Sequence, residues 1–380
     1  MRPNRLPSRL WGVALLTVVT MLLLAACGTT AATHHKTKKK KSTTTTLSAG
    51  NPSSPVTLTE AGSSLLYPYL QLLAPQLHAA FSNITLEPAA GGSGLGISDT
   101  IAKLTNLGGS DAYLSAADAL ANPGVLNIPI AVSSQAIDYN VPGAPAFLNF
   151  NGKTLAEIYQ GTITNWDDPQ IAALNNGVTL PNLPIIPVRR ADSSGDTFLF
   201  TSFLSATDKT WANGPAEGTT VTWPAVADEL TAVGNPAMIT VCKATPGCIA
   251  YIGISVENTA IEDGLQEALV ENKAGNFLKP IQSTMTAAAL AGASATPASL
   301  TQSLIYEPGA QSYPIVNFEY VMVQAQQTSA TTAEAIRAFY TWAISPTGGA
   351  TPNNLAADNF VALPSVVIPK VEAAIQKIVG

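Results

Sequence analysis

The chain is short of cysteine, histidine and charge, and each shortage excludes something. Its 380 residues include three cysteines (Cys27, Cys242, Cys248) and three histidines (His34, His35, His78). A zinc site at Cys242 and Cys248 would need further ligands, and no histidine stands near that pair. The sequence has no His-Glu-x-x-His and no phosphate-loop lysine motif, so neither metal nor other cofactor is expected. Charged residues make up only 12% of the chain and are unevenly placed. From Gly50 onward lie all 25 acidic residues but 11 of the 19 basic ones, a formal −14. Such a body lacks the basic footprint that nucleic-acid binding requires. Nor would its overall field attract an anion, so any anion must be captured by local donors inside a pocket.

The basic residues gather at the other end. Arg2, Arg5 and Arg9 precede an uncharged apolar run, Leu10 to Leu24. The run is too short for a comfortable membrane span and reads as a signal peptide over residues 1–26. It ends in Leu24-Ala25-Ala26-Cys27-Gly28, which resembles a bacterial lipobox, with Cys27 lipidated at the mature N-terminus. Residues 27–55 are rich in Thr, Ser, Ala and Lys, with Lys38 to Lys41 consecutive. This segment has nothing to bury and is expected to be a disordered tether. Its lysines serve a solvated spacer or rest on anionic headgroups. With Cys27 lipidated, Cys242 and Cys248 remain. Outside the cytosol they are expected to form a disulfide across the Pro246-Gly247 turn.

Hydrophobic residues make up 46% of the chain, and residues 56–380 exceed one typical core, which suggests two domains. Short apolar strands alternate with helical stretches. Strands are expected at Val56–Glu60, Ile84–Glu87, Leu107–Ser110, Ile128–Asn140 and Ile185–Arg190. Helices are expected after Ser64, with Leu65, Leu66, Leu70, Leu73 and Leu77 near one face, and around Ile97–Leu104. The alternation argues for an α/β fold with mainly parallel sheets, whose ligands sit beyond the carboxyl ends of strands.

Four polar clusters fall at such strand-to-helix junctions: Ser63-Ser64, Gly92-Ser93-Gly94, Ser110-Asp111 and Arg190 to Asp196. A desolvated oxyanion needs backbone N–H groups at helix starts, hydroxyls and a cation. Ser64, Ser93 and Ser194 offer hydroxyls, Gly92, Gly94 and Gly195 allow close backbone approach, and Arg190 offers bidentate donors. For each serine alone a helix N-cap is the commoner role, and Arg190 reads equally as a structural partner of Asp192 or Asp196. Asp111 is the unusual member. A carboxylate repels an anion unless that anion brings a proton to donate, as phosphate does and sulfate does not. Its plainer reading is a cap or turn aspartate.

Taken in order, Glu60 to Pro68, Gly91 to Gly96, Gly108 to Ala112, Tyr159 to Asp168, Arg189 to Thr201 and Thr245 to Gly253 resemble the phosphate-binding subunits of bacterial phosphate ABC importers, the PstS family. The likeness spans about residues 56 to 370 and is strongest to the mycobacterial lipoprotein branch. It implies a two-lobed periplasmic-binding-protein fold of type II, with discontinuous lobes on a two-strand hinge. The crossings are expected near Ile130–Gln135 and Ser312–Phe318, giving one lobe of residues 56–133 plus 315–380 and another of 134–314. It also implies phosphate contacts from Ser63, Ser64, Leu65, Ser93, Asp111, Arg190, Ser194, Gly195 and Asp196, with Asp192 orienting Arg190. Asp196 stands where the family usually has threonine. Its expected role is to accept a second ligand proton or to pair with Arg190.

The resemblance implies a monomer on the extracytoplasmic face of the cell membrane, held by its lipid and handing phosphate to the importer's transmembrane and ATPase subunits. An enzyme is not expected. A serine hydrolase needs a base, His78 sits on an amphipathic helix, and Leu95 occupies the second glycine position of Gly-x-Ser-x-Gly. The other rivals are a receptor for another oxyanion, such as sulfate or molybdate, and a surface lipoprotein that keeps the fold without transport.

Overall fold

Among the described residues, twelve strands form in the order β1 (Val56–Gly62), β2 (Ile84–Glu87), β3 (Leu107–Ser110), β4 (Val125–Asn140), β5 (Asn149–Phe150), β6 (Ile186–Arg190), β7 (Leu230–Ala232), β8 (Cys248–Gly253), β9 (Gln266–Glu267), β10 (Leu269–Glu271), β11 (Phe277–Leu278) and β12 (Val316–Gln324). The computed structural model describes residues 50–380. The expected signal peptide, Cys27 and most of the expected tether lie outside the described residues. The tether's expected last residues are already attached to the body. Asn51 accepts from the Asn83 backbone N–H at 3.0 Å, and the Pro52 carbonyl accepts from Asn83 Nδ2 at 2.8 Å.

Nine strands form one sheet in the order β2-β1-β3-β12-β4-β8-β6-β7, with β9 on β4. Its outer parts are parallel, as βαβ units require: β1 pairs β2 and β3, and β6 pairs β7 and β8. The centre departs from the mainly parallel expectation. β12 runs antiparallel to β3 and β4, and β4 antiparallel to β8. The long β4 explains this arrangement. Its first part, Val125 to Ser134, pairs with β12, and its second, Gln135 to Asn140, pairs with β8. One strand therefore belongs to both halves of the sheet, and the change of partner falls between Ser134 and Gln135. The second connection lies beside it, where the Gln135 N–H donates to the Ile315 carbonyl at 3.2 Å, just ahead of β12. Both central strands are buried along nearly their whole length, and with their apolar residues they bury polar ones, among them Ser133, Gln135, Asn317 and Glu319.

Two helix starts differ from the sequence expectation. The first helix spans Tyr67–Ala80 and buries Tyr69, Leu70, Leu73 and Leu77. Leu65 and Leu66 precede it, because Pro68 favours the helix entry and Ser63 Oγ holds the N–H groups of Leu65 and Leu66 at 3.0 Å each. The second, Ser93–Ala102, opens at Ser93 and closes at Lys103, whose left-handed φ of 59° ends it. A third, Gly195–Thr207, follows β6 with Ser194 at its N-cap position.

Cys242 lies in the last turn of the helix Gly234–Lys243 and Cys248 opens β8. Their disulfide spans a Cα separation of 5.3 Å around Gly247, which has a positive φ of 88°. Both cysteines are fully buried. The loop closed is short, so a double Cys242→Ala, Cys248→Ala variant is expected to lose about 2–3 kcal/mol of unfolding free energy. Urea unfolding of oxidised wild type against this variant measures the loss. A change within error would mean that the bridge constrains nothing beyond what β8 pairing already does.

Candidate functional site

The carboxyl ends of β1, β3 and β6 deliver the polar clusters to one place. Ser63, Ser64 and Leu65 follow β1, Asp111 follows β3, and Arg190 closes β6. Ser93 and Gly195 each open a helix. All of these residues are buried. In the first half of the sheet, Ser63 Oγ donates to Asp111 Oδ1 and Ser93 Oγ donates to Asp111 Oδ2 at 3.1 Å. The direction of both hydroxyls is fixed by the backbone. Ser63 Oγ accepts from the N–H groups of Leu65 and Leu66, and Ser93 Oγ accepts from the N–H of Asp111 at 3.1 Å. Each hydroxyl proton is therefore left for the carboxylate, and Asp111 is set up as an acceptor.

In the second half, Arg190 sits between two aspartates. Its Nε donates to Asp192 Oδ1 at 2.7 Å and its Nη2 to Asp192 Oδ2, a bidentate pair. Its Nη1 donates to Asp196 Oδ2 at 2.7 Å. Three of five N–H groups are thus used, and each terminal nitrogen keeps one. The structure takes the second of the two roles expected for Asp196, pairing with Arg190. Its other side-chain hydrogen-bond partners are donors too: Asn235 Nδ2 at 2.8 Å to Oδ2 and Gln135 Nε2 at 3.3 Å to Oδ1. That surrounding suits a carboxylate.

The two halves touch directly. A Cβ on Gly195 would lie 2.3 Å from Asp111 Oδ2 and 2.4 Å from Ser93 Oγ, so only glycine fits there. The Gly94 N–H donates to the Ser193 carbonyl at 3.0 Å. Ser64 Oγ receives the Asn235 backbone N–H at 3.2 Å and Asn235 Nδ2 at 3.3 Å. Ser194 is the exception among the hydroxyls: its Oγ is buried without a hydrogen-bond partner. A buried donor left unsatisfied is costly, and this one stands at the start of the helix that Gly195 opens.

Electrostatics sharpen the picture. Burial, then the charge of Asp196, pushes the Asp111 carboxyl up to about 7, against the hydrogen bonds from Ser63 and Glu319 and the charge of Arg190. Burial also raises Asp196, opposed by Arg190, Asn235 and Gln135. At Asp192 burial is outweighed by the Arg190 hydrogen bonds and charge, which hold its carboxyl below the usual range. One cation therefore serves three carboxylates.

Every residue expected at the site is brought together here. Sequence reasoning missed Asn235 and Gln135, along with the buried trio of Ser133, Asn317 and Glu319 behind Asp111. Asn235 follows Gly234, whose φ is 73°, and the Gly-Asn-Pro run was its only sequence signal. The chain's described histidine, His78, is engaged with the Ile84 carbonyl at 2.8 Å.

A family model described as a PBP superfamily domain matches residues 32–347. A phosphate-binding protein PstS of Methanocaldococcus jannaschii is 34% identical over 309 residues, 75% of this chain and 77% of that one. The chain belongs to the PstS family of phosphate-binding proteins. The phosphate-binding protein PstS 2 of Mycobacterium tuberculosis is 33% identical over 276 residues, 69% of this chain and 72% of its own. Among solved structures, the high-affinity periplasmic phosphate-binding protein PfluDING, bound with phosphate, superposes with a TM-score of 0.65 at 22% identity. That match covers 85% of this chain and 93% of the other. The fold is the α/β type II periplasmic-binding-protein fold, as the PstS resemblance implied.

Arg190→Met would leave Asp196 as a buried charge without its cation. The expected loss is about 3–5 kcal/mol of unfolding free energy, and adding Asp196→Asn should recover part of it. Urea unfolding of wild type, both single variants and the double variant closes the cycle. Additive losses would contradict a coupled pair.

Proposed function

We propose that this PstS-family chain is an extracytoplasmic receptor that captures inorganic phosphate between two lobes and delivers it to an ABC importer in the membrane. The observation that carries the reading is Asp111. It is a buried carboxylate, held as an acceptor by hydroxyls of fixed direction, yet it faces spare donors rather than a cation of its own. Such a site favours an anion with protons. A hydroxyl of phosphate donates to Asp111, while its other oxygens accept from the two remaining Arg190 N–H groups, the free Ser194 hydroxyl, the Ser64 hydroxyl and the backbone N–H groups of Gly195 and Asp196; the Ser93 hydroxyl and the Leu65 N–H join them only by leaving Asp111 and Ser63 Oγ. Sulfate offers no proton and would set an oxygen against the carboxylate. The relatives are named as phosphate-binding proteins, and the site is read as binding without catalysis.

The lobes proposed are residues 56–133 plus 315–380 and residues 134–314, and the change of partner of β4 at Ser134–Gln135, with Ile315 beside it just ahead of β12, supports the hinge. Ser63, Ser64, Leu65, Ser93 and Asp111 come from the first lobe. Arg190, Ser194, Gly195 and Asp196 come from the second, with Asp192 steering the guanidinium. A ligand touching both sets favours the closed form by its differential contacts. The lipid on Cys27 would hold a monomeric receptor at the outer face of the cell membrane, within reach of the importer's transmembrane subunits.

Calorimetry of the body from about Ser48 tests this reading. Phosphate and arsenate, which carry the same protons, should bind, and sulfate should give no measurable heat; equal binding of sulfate would sink the proposal. The pH profile probes Asp196. If it also accepts a ligand proton, affinity falls as pH rises from about 5 to 8 and the ligand loses that proton. Asp196→Thr removes the acceptor and should flatten the fall. An unchanged profile would leave Asp196 as the Arg190 partner alone.

A further inference from the structure

Behind Asp111, on the side away from the donors, lies a second buried carboxyl that no sequence motif pointed to. Glu319 stands on β12, is wholly inaccessible, and has no cation among its neighbours. Its Oε1 is in contact with Ser133 Oγ on β4 and receives Asn317 Nδ2 at a long 3.3 Å. Ser133 has one proton for two acceptors, since the Asn317 Oδ1 also lies 2.8 Å from it. Glu319 Oε2 has no donor at all. The same Asn317 amide donates to the Asp111 carbonyl at 2.7 Å and reaches Glu319 Oε1, which sets the two acids side by side.

Two adjacent buried carboxylates with no cation between them would repel strongly, so one must hold a proton. The surroundings decide which. Asp111 receives two serine hydroxyls and feels Arg190. Glu319 has a shared hydroxyl and a long amide contact. We propose that Glu319 is a positioning residue for the ligand acceptor: it keeps the proton and donates it to Asp111, so that Asp111 meets the ligand as a carboxylate. The proposal rests on the phosphate reading for its consequence and deepens it, for it names what keeps Asp111 an acceptor inside a site that already carries Asp192 and Asp196. The charged groups facing Glu319 are Asp111 and Asp196, both acidic, and with burial they push its carboxyl well above the usual range. The neutral acid is the donor, so donation is complete below that raised range and is lost as pH rises through it.

The test compares Glu319→Gln and Glu319→Leu with wild type at pH 7. Glutamine keeps a donor toward Asp111 at every pH, and leucine removes it. By calorimetry with phosphate, E319Q should bind within about threefold of wild type and E319L should weaken by about tenfold or more. An equal loss in both variants would show that Glu319 acts as an anion, and no loss in E319L would show that it only fills space. Either result overturns the proposal. Infrared difference spectra of wild type minus E319Q, without ligand, give an independent readout that also serves if E319L does not fold. A carboxylic-acid carbonyl band that disappears in E319Q supports the neutral acid, and its absence from the difference overturns it. Wild-type protein that shows the band but binds no phosphate would defeat the phosphate reading while leaving the proton on Glu319.

Discussion

The structure depends on how one buried arginine is shared. Arg190 is tied to Asp192 by two bonds and to Asp196 by a third, and Asp111 lies close enough for the charge of Asp196 to raise it. In a low-dielectric interior such charges act on one another far more than at a surface. Asp192 and Asp196 already outweigh the single positive charge of the guanidinium, and Asp111 adds a third carboxyl before any ligand arrives. An anion can enter this site only by adding donors of its own or by using donors not already spent. That condition turns an apparent contradiction, an anion pocket in a chain body of strongly negative charge, into a filter on the ligand's protons.

The fold supports the filter by the way its strands end. Parallel strands with helices after them point loop backbone and helix starts toward one crevice, and β1, β3 and β6 each contribute a cluster there. β4 and β12 run through the middle of the sheet and carry Gln135, Ser133, Asn317 and Glu319 to the back of the same crevice. The strands that would act as the hinge are therefore also those that hold the acceptor in place. Beside the aromatic pair Tyr113–Phe198, the halves meet through hydrogen bonds such as Asn235 on Ser64 and Gly94 on Ser193. Such contacts can be exchanged for water when a cleft opens, at little net cost.

Much of this was legible in the sequence, and the reasons differ from residue to residue. Strands β2 and β3 were placed at their observed ends because glycine, proline and polar punctuation bound their apolar runs. The four junction clusters could be found because serine, glycine and charge are concentrated there over a few residues. Pairing of Arg190 with Asp192 and Asp196 was a local inference, at separations of two and six residues. Asn235 and Glu319 were not legible. Asn235 meets Ser64 from 171 residues away, and nothing in a single asparagine announces such a partner. Glu319 looks like an ordinary polar residue in a strand, and only the pairing of β12 with β4 and β3 shows that it is buried against Asp111. The antiparallel centre of the sheet was missed for a related reason: alternating helices and strands predict parallel pairs, but a strand long enough to serve both halves is not announced by that alternation.

The central claim is that the ligand's proton, not the protein's, lies between the anion and Asp111. Neutron diffraction from crystals of the phosphate complex, exchanged into heavy water near neutral pH, reads this directly. The account predicts a deuterium on the phosphate oxygen that faces Asp111, with both Asp111 oxygens unprotonated. A deuterium bonded to Asp111 and donated to a bare phosphate oxygen would contradict it.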